Sequence, residues 1–172
     1  RIEGLVFEGG LGNGVEIHGG GGNVLAGCEF RNLGKDGAIV SGGQANGVQS
    51  CDFHDLGHGG VMLGGGDRRT LAPAGNYVDN CHIRNFGQVK KTYAPGVGVG
   101  AYGAGQSVGN RISHNLIHHA PHAAVLYGGN DNLFEFNEVH HVAQDSGDVG
   151  AFYTWHDWTS RGNVLRHNFV YD

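Results

Sequence analysis

The sequence is poor in charged residues and has no long apolar run. Only 16% of its 172 residues are charged, and 11 Lys and Arg stand against 16 Asp and Glu, a formal net charge of −5. This mildly acidic balance argues against a surface that binds nucleic acid. The sequence shows no apolar run long enough to cross a membrane and no signal sequence, and a truncated start would hide a signal peptide. We therefore predict neither a nucleic-acid partner nor a membrane partner.

Helix signals are also lacking. No window combines a sustained 3.6-residue period with capping residues, and 34 glycines would weaken any helix. These glycines do not follow the three-residue period of collagen, and regular apolar columns argue against disorder. What remains is an ordered chain built from strands and turns.

One pattern of asparagine and apolar residues occurs six times. Each copy has Asn at its start, an apolar residue two positions later, Cys or Asn five positions later and an apolar residue seven positions later. Successive copies start 23, 30, 34, 22 and 31 residues apart. A unit of about 22 residues therefore recurs with insertions, which is typical of a stacked array. The copies begin at Asn23, Asn46, Asn76, Asn110, Asn132 and Asn163.

A second, glycine-flanked motif accompanies the copies. Short apolar runs separated by Gly, Asn or Asp predict three short strands per unit. Such units are predicted to stack as an all-β, single-stranded parallel β-helix, with five complete rungs and two partial ones about 4.8 Å apart. We align the second motif at 14–19, 37–42, 60–65, 98–103, 123–128 and 149–154.

The three cysteines share one repeat position. Asn115, Asn137 and Asn168 occupy the same position in later copies. We interpret this column as an inward ladder of small side chains at a bend, where Asn bonds the turn backbone and Cys acts as a small hydrophobe. Stacked side chains point the same way, which is poor geometry for a disulfide.

We predict a single β-helix domain over residues 1–172. The first residues look like the end of a unit, and Asp172 falls in the middle of one. Both ends thus lack the polar caps that such arrays need, so we expect a fragment of a longer solenoid.

The Asn-based repeats and the glycine-flanked motif resemble the right-handed β-helix superfamily of pectate-lyase-like carbohydrate-active enzymes, over essentially the whole chain. The resemblance implies that each glycine-flanked motif is the first strand of a rung and that each Asn starts the second. It also implies that a carbohydrate polymer or oligosaccharide binds along the face of the first strands, between the loops on either side.

Strand alternation predicts which side chains point outward from the first strands. Val15 and Ile17 should face the core, and His18 should face solvent. Our alignment continues the His18 column through Tyr102, Tyr127 and Tyr153, a strip suited either to stacking on sugar rings or to stabilising the sheet. It places a second column just before the strands: Asn13, Asp36, Gly59, Val97, His122 and Asp148.

Insertions should wall the groove. Residues 64–75, with Arg68, and the segment Trp155, His156, Asp157, Trp158 and Arg161 follow first strands. The tryptophans either line a sugar site or cover the open side of the coil. Residues 87–96, with Lys90, Lys91 and Tyr93, should lie on the Asp148 side.

Most of the 12 histidines belong to the repeat itself. His118, His119, His140 and His141 form paired columns where the third strand ends. No spacing matches a zinc signature, so we interpret these residues as a surface ladder and predict no metal and no cofactor.

Residues 145–168 carry the most specific resemblance, to a stretch of secreted bacterial β-helix glycosidases of the family 141 type, which includes fucosidase and xylanase activities. The resemblance implies a secreted, periplasmic or cell-surface glycosidase. Glycoside hydrolysis needs two carboxyl groups. We predict Asp148 as one, with Asp157 across the groove or Asp145 on the same wall as the other, and His122 and Tyr153 as residues that orient substrate or tune a pKa.

Two alternatives remain. A polysaccharide lyase or uronate epimerase would need Arg or Lys in the groove, often with calcium, and Lys90, Lys91, Arg68 and Arg161 are available. The second is a non-catalytic β-helix stem or glycan-binding adhesin, in which the tyrosines serve only to pack.

Overall fold

Three parallel β-sheets wind around one core in about six turns. The computed structural model describes residues 1–100, 104–154 and 156–172. Within these ranges no helix forms, and so there is none that could span a membrane. The all-β parallel solenoid with three strands per rung is therefore confirmed.

Each rung contributes one strand to each sheet. Sheet 1 contains the glycine-flanked strands β3 (Val15–His18), β6 (Ala38–Ser41), β9 (Val61–Leu63), β12 (Val97–Val99), β15 (Val125–Tyr127) and β18 (Phe152–Thr154). Sheet 2 contains β1 (Ile2–Glu3), β4 (Val24–Ala26), β7 (Gly47–Gln49), β10 (Tyr77–Asp79), β13 (Arg111–Ser113), β16 (Leu133–Glu135) and β19 (Val164–Arg166). Sheet 3 contains β2 (Val6–Glu8), β5 (Glu29–Leu33), β8 (Asp52–Leu56), β11 (His82–Arg84), β14 (Leu116–His118), β17 (Glu138–His140) and β20 (Phe169–Tyr171).

Rungs lie about 27 residues apart along the chain. Where a rung carries no insertion, paired residues are 22 or 23 apart, as between Arg111 and Leu133 or Val24 and Gly47. Insertions account for the difference from the predicted unit of about 22 residues.

The core consists of side chains that alternate inward from all three sheets. Phe7, Phe30 and Phe53 stack in one column of sheet 3, with ring centroids 4.8 and 4.6 Å apart. Val48 and Ile112 belong to the inward column of sheet 2 and are fully buried. Because every rung presents equivalent columns, each apolar side chain is covered by its counterparts above and below.

Two polar ladders run through the bends, and the predicted one is confirmed. Cys28, Cys51 and Cys81 are buried free thiols in one column, and the backbone N–H of Cys81 donates to Asn115 Oδ1 at 2.9 Å. The Asn residues that start each copy form a second ladder, in which the Asn46 N–H donates to Asn76 Oδ1 at 2.8 Å. Both ladders satisfy turn backbone that strand pairing leaves unpaired.

Candidate functional site

The register of sheet 1 corrects the predicted tyrosine strip. Val99 pairs with Tyr127, and Leu126 pairs with Tyr153. Tyr127 therefore occupies the same inward column as Ile17, and its ring lies 4.9 Å from that of core residue Phe134. Burial raises the pKa of Tyr127, as expected for a phenol packed inside the coil.

Tyr153 points outward, but in the column of Glu16 and not in that of His18. Tyr102, the third member of the strip, lies outside the described residues. The strip prediction is wrong because the alignment slipped by one residue at Tyr127, and a slip of one reverses the face of every side chain in a strand.

The column before the strands is also corrected. Its later members are Pro95, Ala123 and Gly150. The residues that follow them, Gly96, Ala124 and Ala151, occupy the register position of Gly60 in their own rungs. Val97 is a fully buried core residue of β12. His122 and Asp148 lie one and two residues earlier than the column, in the loops that lead into their strands. The first two predicted members, Asn13 and Asp36, are adjacent in the column, because the Asp36 N–H donates to Asn13 Oδ1 at 3.1 Å.

The loops still bring Asp148 into a cluster on that edge of sheet 1. The Tyr153 hydroxyl donates to Asp148 Oδ1 at 3.0 Å, and the Tyr93 hydroxyl donates to Oδ2 at 3.3 Å. The Tyr93 and His122 rings lie 4.8 Å apart, and the rings of His122 and Tyr153 meet edge to face at 6.0 Å. Asp148 is thus held at both oxygens while it stays exposed to solvent.

His122 forms the floor of this cluster. Only 1% of its surface is exposed. Burial lowers its pKa, and the Asp148 charge and a hydrogen bond to the Asp148 backbone oppose that shift. Within the described part of the chain, His122 Nδ1 is buried and has no hydrogen-bond partner. A buried ring nitrogen without a hydrogen-bond partner is uncommon in proteins, which makes His122 a candidate functional residue.

Tyr93 also lines a cavity of about 220 Å³, together with Asn13 and Asp36 of the edge column. Asp36 lies in it, half-buried, and accepts the Gly59 N–H at 2.8 Å. Burial raises the Asp36 pKa, which the Gly59 N–H and nearby basic residues partly offset. Tyr93 connects this cavity to the Asp148 cluster. The cavity is lined by Asn13, Lys35, Asp36, His58, Met62, Lys90, Tyr93 and Ala94.

Two insertions build the wall on this side, residues 85–96 and 141–151, which we call the first wall. They are joined by an ion pair between Lys91 Nζ and Asp145 Oδ2 at 2.7 Å and by the Tyr93 contact with Asp148. Asp145 thus lies on the same wall as Asp148, as the sequence predicted.

The second wall, on the opposite edge, is formed by residues 64–76, 104–110 and 156–163. Arg68 joins its parts: its guanidinium lies 2.7 Å from Asp157 Oδ2, 2.9 Å from Asn130 Oδ1 and 2.8 Å from Thr159 Oγ1. Hydrogen bonds from Arg68 and Thr159 lower the Asp157 pKa to about 2. Asp157 is therefore ionised near neutral pH and unsuited to donate a proton.

The segment 104–110 contains an insertion that the sequence analysis missed. The predicted strand at 98–103 actually begins at Val97. A side chain at Gly64 would collide with the Ala104 carbonyl, so this segment lies directly across the outward face of sheet 1. Met62 and Leu126 lie in the other outward column, that of Tyr153, yet only 2% and 0% of their surfaces are exposed. The face between the walls is therefore partly covered.

The remaining predicted residues lie on the second wall. Trp158 projects completely into solvent and covers no part of the coil. His156 is exposed, and Arg161 lines a groove of about 450 Å³ together with Arg68 and Arg69. Trp155 lies outside the described residues.

A family model described as a right-handed β-helix region matches residues 1–172. The chain belongs to the right-handed β-helix family. No curated protein and no solved structure matched it. Membership in the right-handed β-helix family is consistent with carbohydrate-related or structural roles, so the reaction must be argued from the site itself.

Proposed function

We propose that the protein is a glycoside hydrolase that acts on a polysaccharide, with Asp148 as a catalytic carboxylate. The observation that carries the proposal is the pair of tyrosine hydroxyls on both Asp148 oxygens, above a buried histidine and beside an open groove. A carboxylate fixed at both oxygens yet open to solvent suits the nucleophile or base of glycoside hydrolysis. We propose that its substrate specificity is that of the family 141 type of β-helix glycosidases.

The second carboxyl group must lie about 5 to 10 Å from the first. Asp36 and Gly150, which is two residues after Asp148, belong to the same column but lie four rungs apart. At 4.8 Å per rung, this separates them by roughly 19 Å along the coil. Asp157 is bound by Arg68 on the other wall. Asp145 is three residues from Asp148, a span of at most about 11 Å. Asp145 is therefore the partner we favour, with Lys91 as its counter-ion.

The groove would hold the sugar chain along the coil axis. Tyr153 faces outward beside Asp148, and Asp36 and Lys90 offer polar contacts at the far end. On the second wall, the exposed indole of Trp158 offers an apolar face to a sugar ring, and Arg161 and His156 offer hydrogen bonds. We propose a secreted, periplasmic or cell-surface location, where such polymers occur.

The test is hydrolysis of a panel of polysaccharides, measured by the release of reducing ends. Asp148→Asn should lower kcat by at least about 100-fold, because positioned acid–base groups contribute 10²- to 10⁴-fold. Asp145→Asn should also lower kcat. Asp55→Asn is the matched control, since Asp55 is exposed at the end of a sheet 3 strand with a positive φ of 54° that Asn also tolerates.

Full activity of Asp148→Asn would refute the assignment. Absence of turnover on the whole panel, with glycan binding retained by Asp148→Asn, would support instead a non-catalytic stem or adhesin.

A polysaccharide lyase or uronate epimerase is the second candidate. It is favoured by the basic groove of Arg68, Arg69 and Arg161, which suits a carboxylated sugar chain. Calcium would then be a plausible cofactor. An unsaturated product, detected by its ultraviolet absorbance, would favour the lyase over the hydrolase.

A further inference from the structure

Away from the groove, sheet 3 carries a cluster of histidines on its solvent face. Two successive rungs end in His-His pairs, and His118 pairs in register with His140. His119 and His141 follow with positive φ angles of 54° and 49°. Asn85 holds the equivalent position in the previous rung, with φ of 49°. Histidine thus takes the place of the asparagine that this backbone conformation favours.

The rings contact one another through their nitrogens. His118 Nδ1 lies 2.6 Å from His119 Nδ1, and His140 Nδ1 lies 2.8 Å from His141 Nδ1. His118 Nε2 lies 2.8 Å from His82 Nε2. Between rungs, His118 stacks on His140 at 4.6 Å and His119 stacks on His141 at 4.8 Å. Five imidazoles therefore share one patch.

Three rings of the patch have lowered pKa values. Burial, followed by the neighbouring histidines, lowers the pKa of His118 to about 4. Burial and neighbouring charges also lower the pKa of His82 and His140. Neutral imidazole is the form that ligates metals.

We propose that His118, His119 and His140 form a binding site for a late first-row divalent transition metal ion such as Zn²⁺. One nitrogen from each of the three lies within 4.8 Å of the other two. Tetrahedral ligation with bonds of about 2.0 to 2.1 Å needs ligand nitrogens roughly 3.3 Å apart. The 2.6 Å between His118 Nδ1 and His119 Nδ1 is shorter than this value, and His118 and His140 are stacked, so the rings must rotate out of their present contacts to hold the ion. A water molecule would complete the tetrahedron.

This site lies outside the proposed catalytic cluster but close to the first wall. His119 lines a cavity of about 230 Å³ together with Lys91 and Asp145. A bound metal would link the end of β14 to the end of β17, where the chain enters residues 141–151 of the first wall. The site would therefore stabilise the wall rather than take part in glycan cleavage, and it does not depend on the proposed function.

The test is isothermal titration of the metal-free protein with ZnCl₂ near pH 7.5. We expect one equivalent of Zn²⁺ to bind, and His119→Asn to weaken that binding by at least about tenfold. His167→Asn is the matched control: His167 is exposed, has φ of 55° and stacks on Phe136 away from the cluster. Both substitutions place Asn where the backbone favours it, so neither should disturb the fold.

A second measurement addresses the coordination. Co²⁺ should give the intense visible absorption of a tetrahedral site in the wild type and in His167→Asn, and His140→Gln should lose it. Equal affinity of the wild type and His119→Asn, several weak sites that no variant abolishes, or no heat at all would overturn the proposal. The second of these outcomes would mean an adventitious ion only.

Discussion

Removing the side-chain amide of Asn115 should destabilise the coil, because this amide makes three buried hydrogen bonds. Its Oδ1 accepts the Cys81 N–H at 2.9 Å, and its Nδ2 donates to the Val78 carbonyl at 3.1 Å and to Asn137 Oδ1 at 2.9 Å. The side chain is 1% exposed, so water cannot replace these bonds. Asn115→Ala would leave the buried Cys81 N–H without a partner and would remove two further buried hydrogen bonds, to the Val78 carbonyl and to Asn137 Oδ1.

The unpaired Cys81 N–H should cost about 1 to 3 kcal/mol, and each of the two lost hydrogen bonds about 0.5 to 1.5 kcal/mol. We therefore expect Asn115→Ala to lower the free energy of unfolding by about 2 to 6 kcal/mol. For a chain of this size the melting temperature should fall by roughly 5 to 20 °C. Urea unfolding followed by circular dichroism gives the free energy, and hydrogen exchange at the Cys81 amide localises the loss.

The chain itself provides the control. In earlier rungs cysteine fills this position, and the Cys28 N–H donates to Cys51 Sγ at 3.4 Å while the Cys51 thiol donates to the Leu25 and Gln49 carbonyls. Asn115→Cys should therefore retain a weaker form of each bond and recover a substantial part of the stability. If Asn115→Ala stays within about 0.5 kcal/mol of the wild type, or if Asn115→Cys is no better than alanine, the ladder does not hold the bends.

Three further predictions concern the groove. Tyr127→Phe should leave glycan binding unchanged, because its ring packs on Phe134, whereas Tyr153→Phe should weaken it, and equal losses in titrations with the same oligosaccharide would contradict the register. Arg68→Gln should open the second wall, which limited proteolysis would detect as cleavage within 64–76 or 156–163 that is absent in the wild type. The Asp157 pKa of about 2 lies below the unfolded value of about 3.9, so the stabilisation of this wall should persist above about pH 4 and disappear as the pH falls towards 2. Hydrogen exchange of residues 156–163 should show that loss in the wild type but not in Asp157→Asn, and equal profiles would mean that the ion pair is not what holds the wall.

The fold followed from the sequence because its signals are local and repeated six times. The Asn and Cys columns mark the two bends, where side-chain amides must bond backbone that strand pairing cannot reach. The distribution of insertions also located both walls, since a loop between the same two strands emerges on the same edge in every rung. The contacts of Arg68 and of Tyr93 depend on how separate loops meet, which no single repeat encodes.

The outward face of sheet 1 was predicted wrongly because the glycine-flanked motif does not fix the strand register in the later rungs. Residues 96–100 alternate Gly and Val, so the motif fits two registers equally well, and alanine replaces the leading glycine in the next two rungs. A physical criterion resolves the ambiguity. A Cβ at Gly60 would lie 2.7 Å from Ile83 Cγ2, and one at Gly96 would lie 2.7 Å from Ile117 Cγ2.

The leading residue of sheet 1 must therefore leave room for the inward side chain of sheet 3 in the same rung. Glycine leads the four rungs in which that side chain is Phe or Ile, and alanine leads the two in which the register places Val139 and Val170. This exchange of volume between the two columns is what close packing of the core requires. Matching Ala124 to Val139 in the sequence would have placed Tyr127 inside the coil and left Tyr153 as the outward tyrosine beside Asp148.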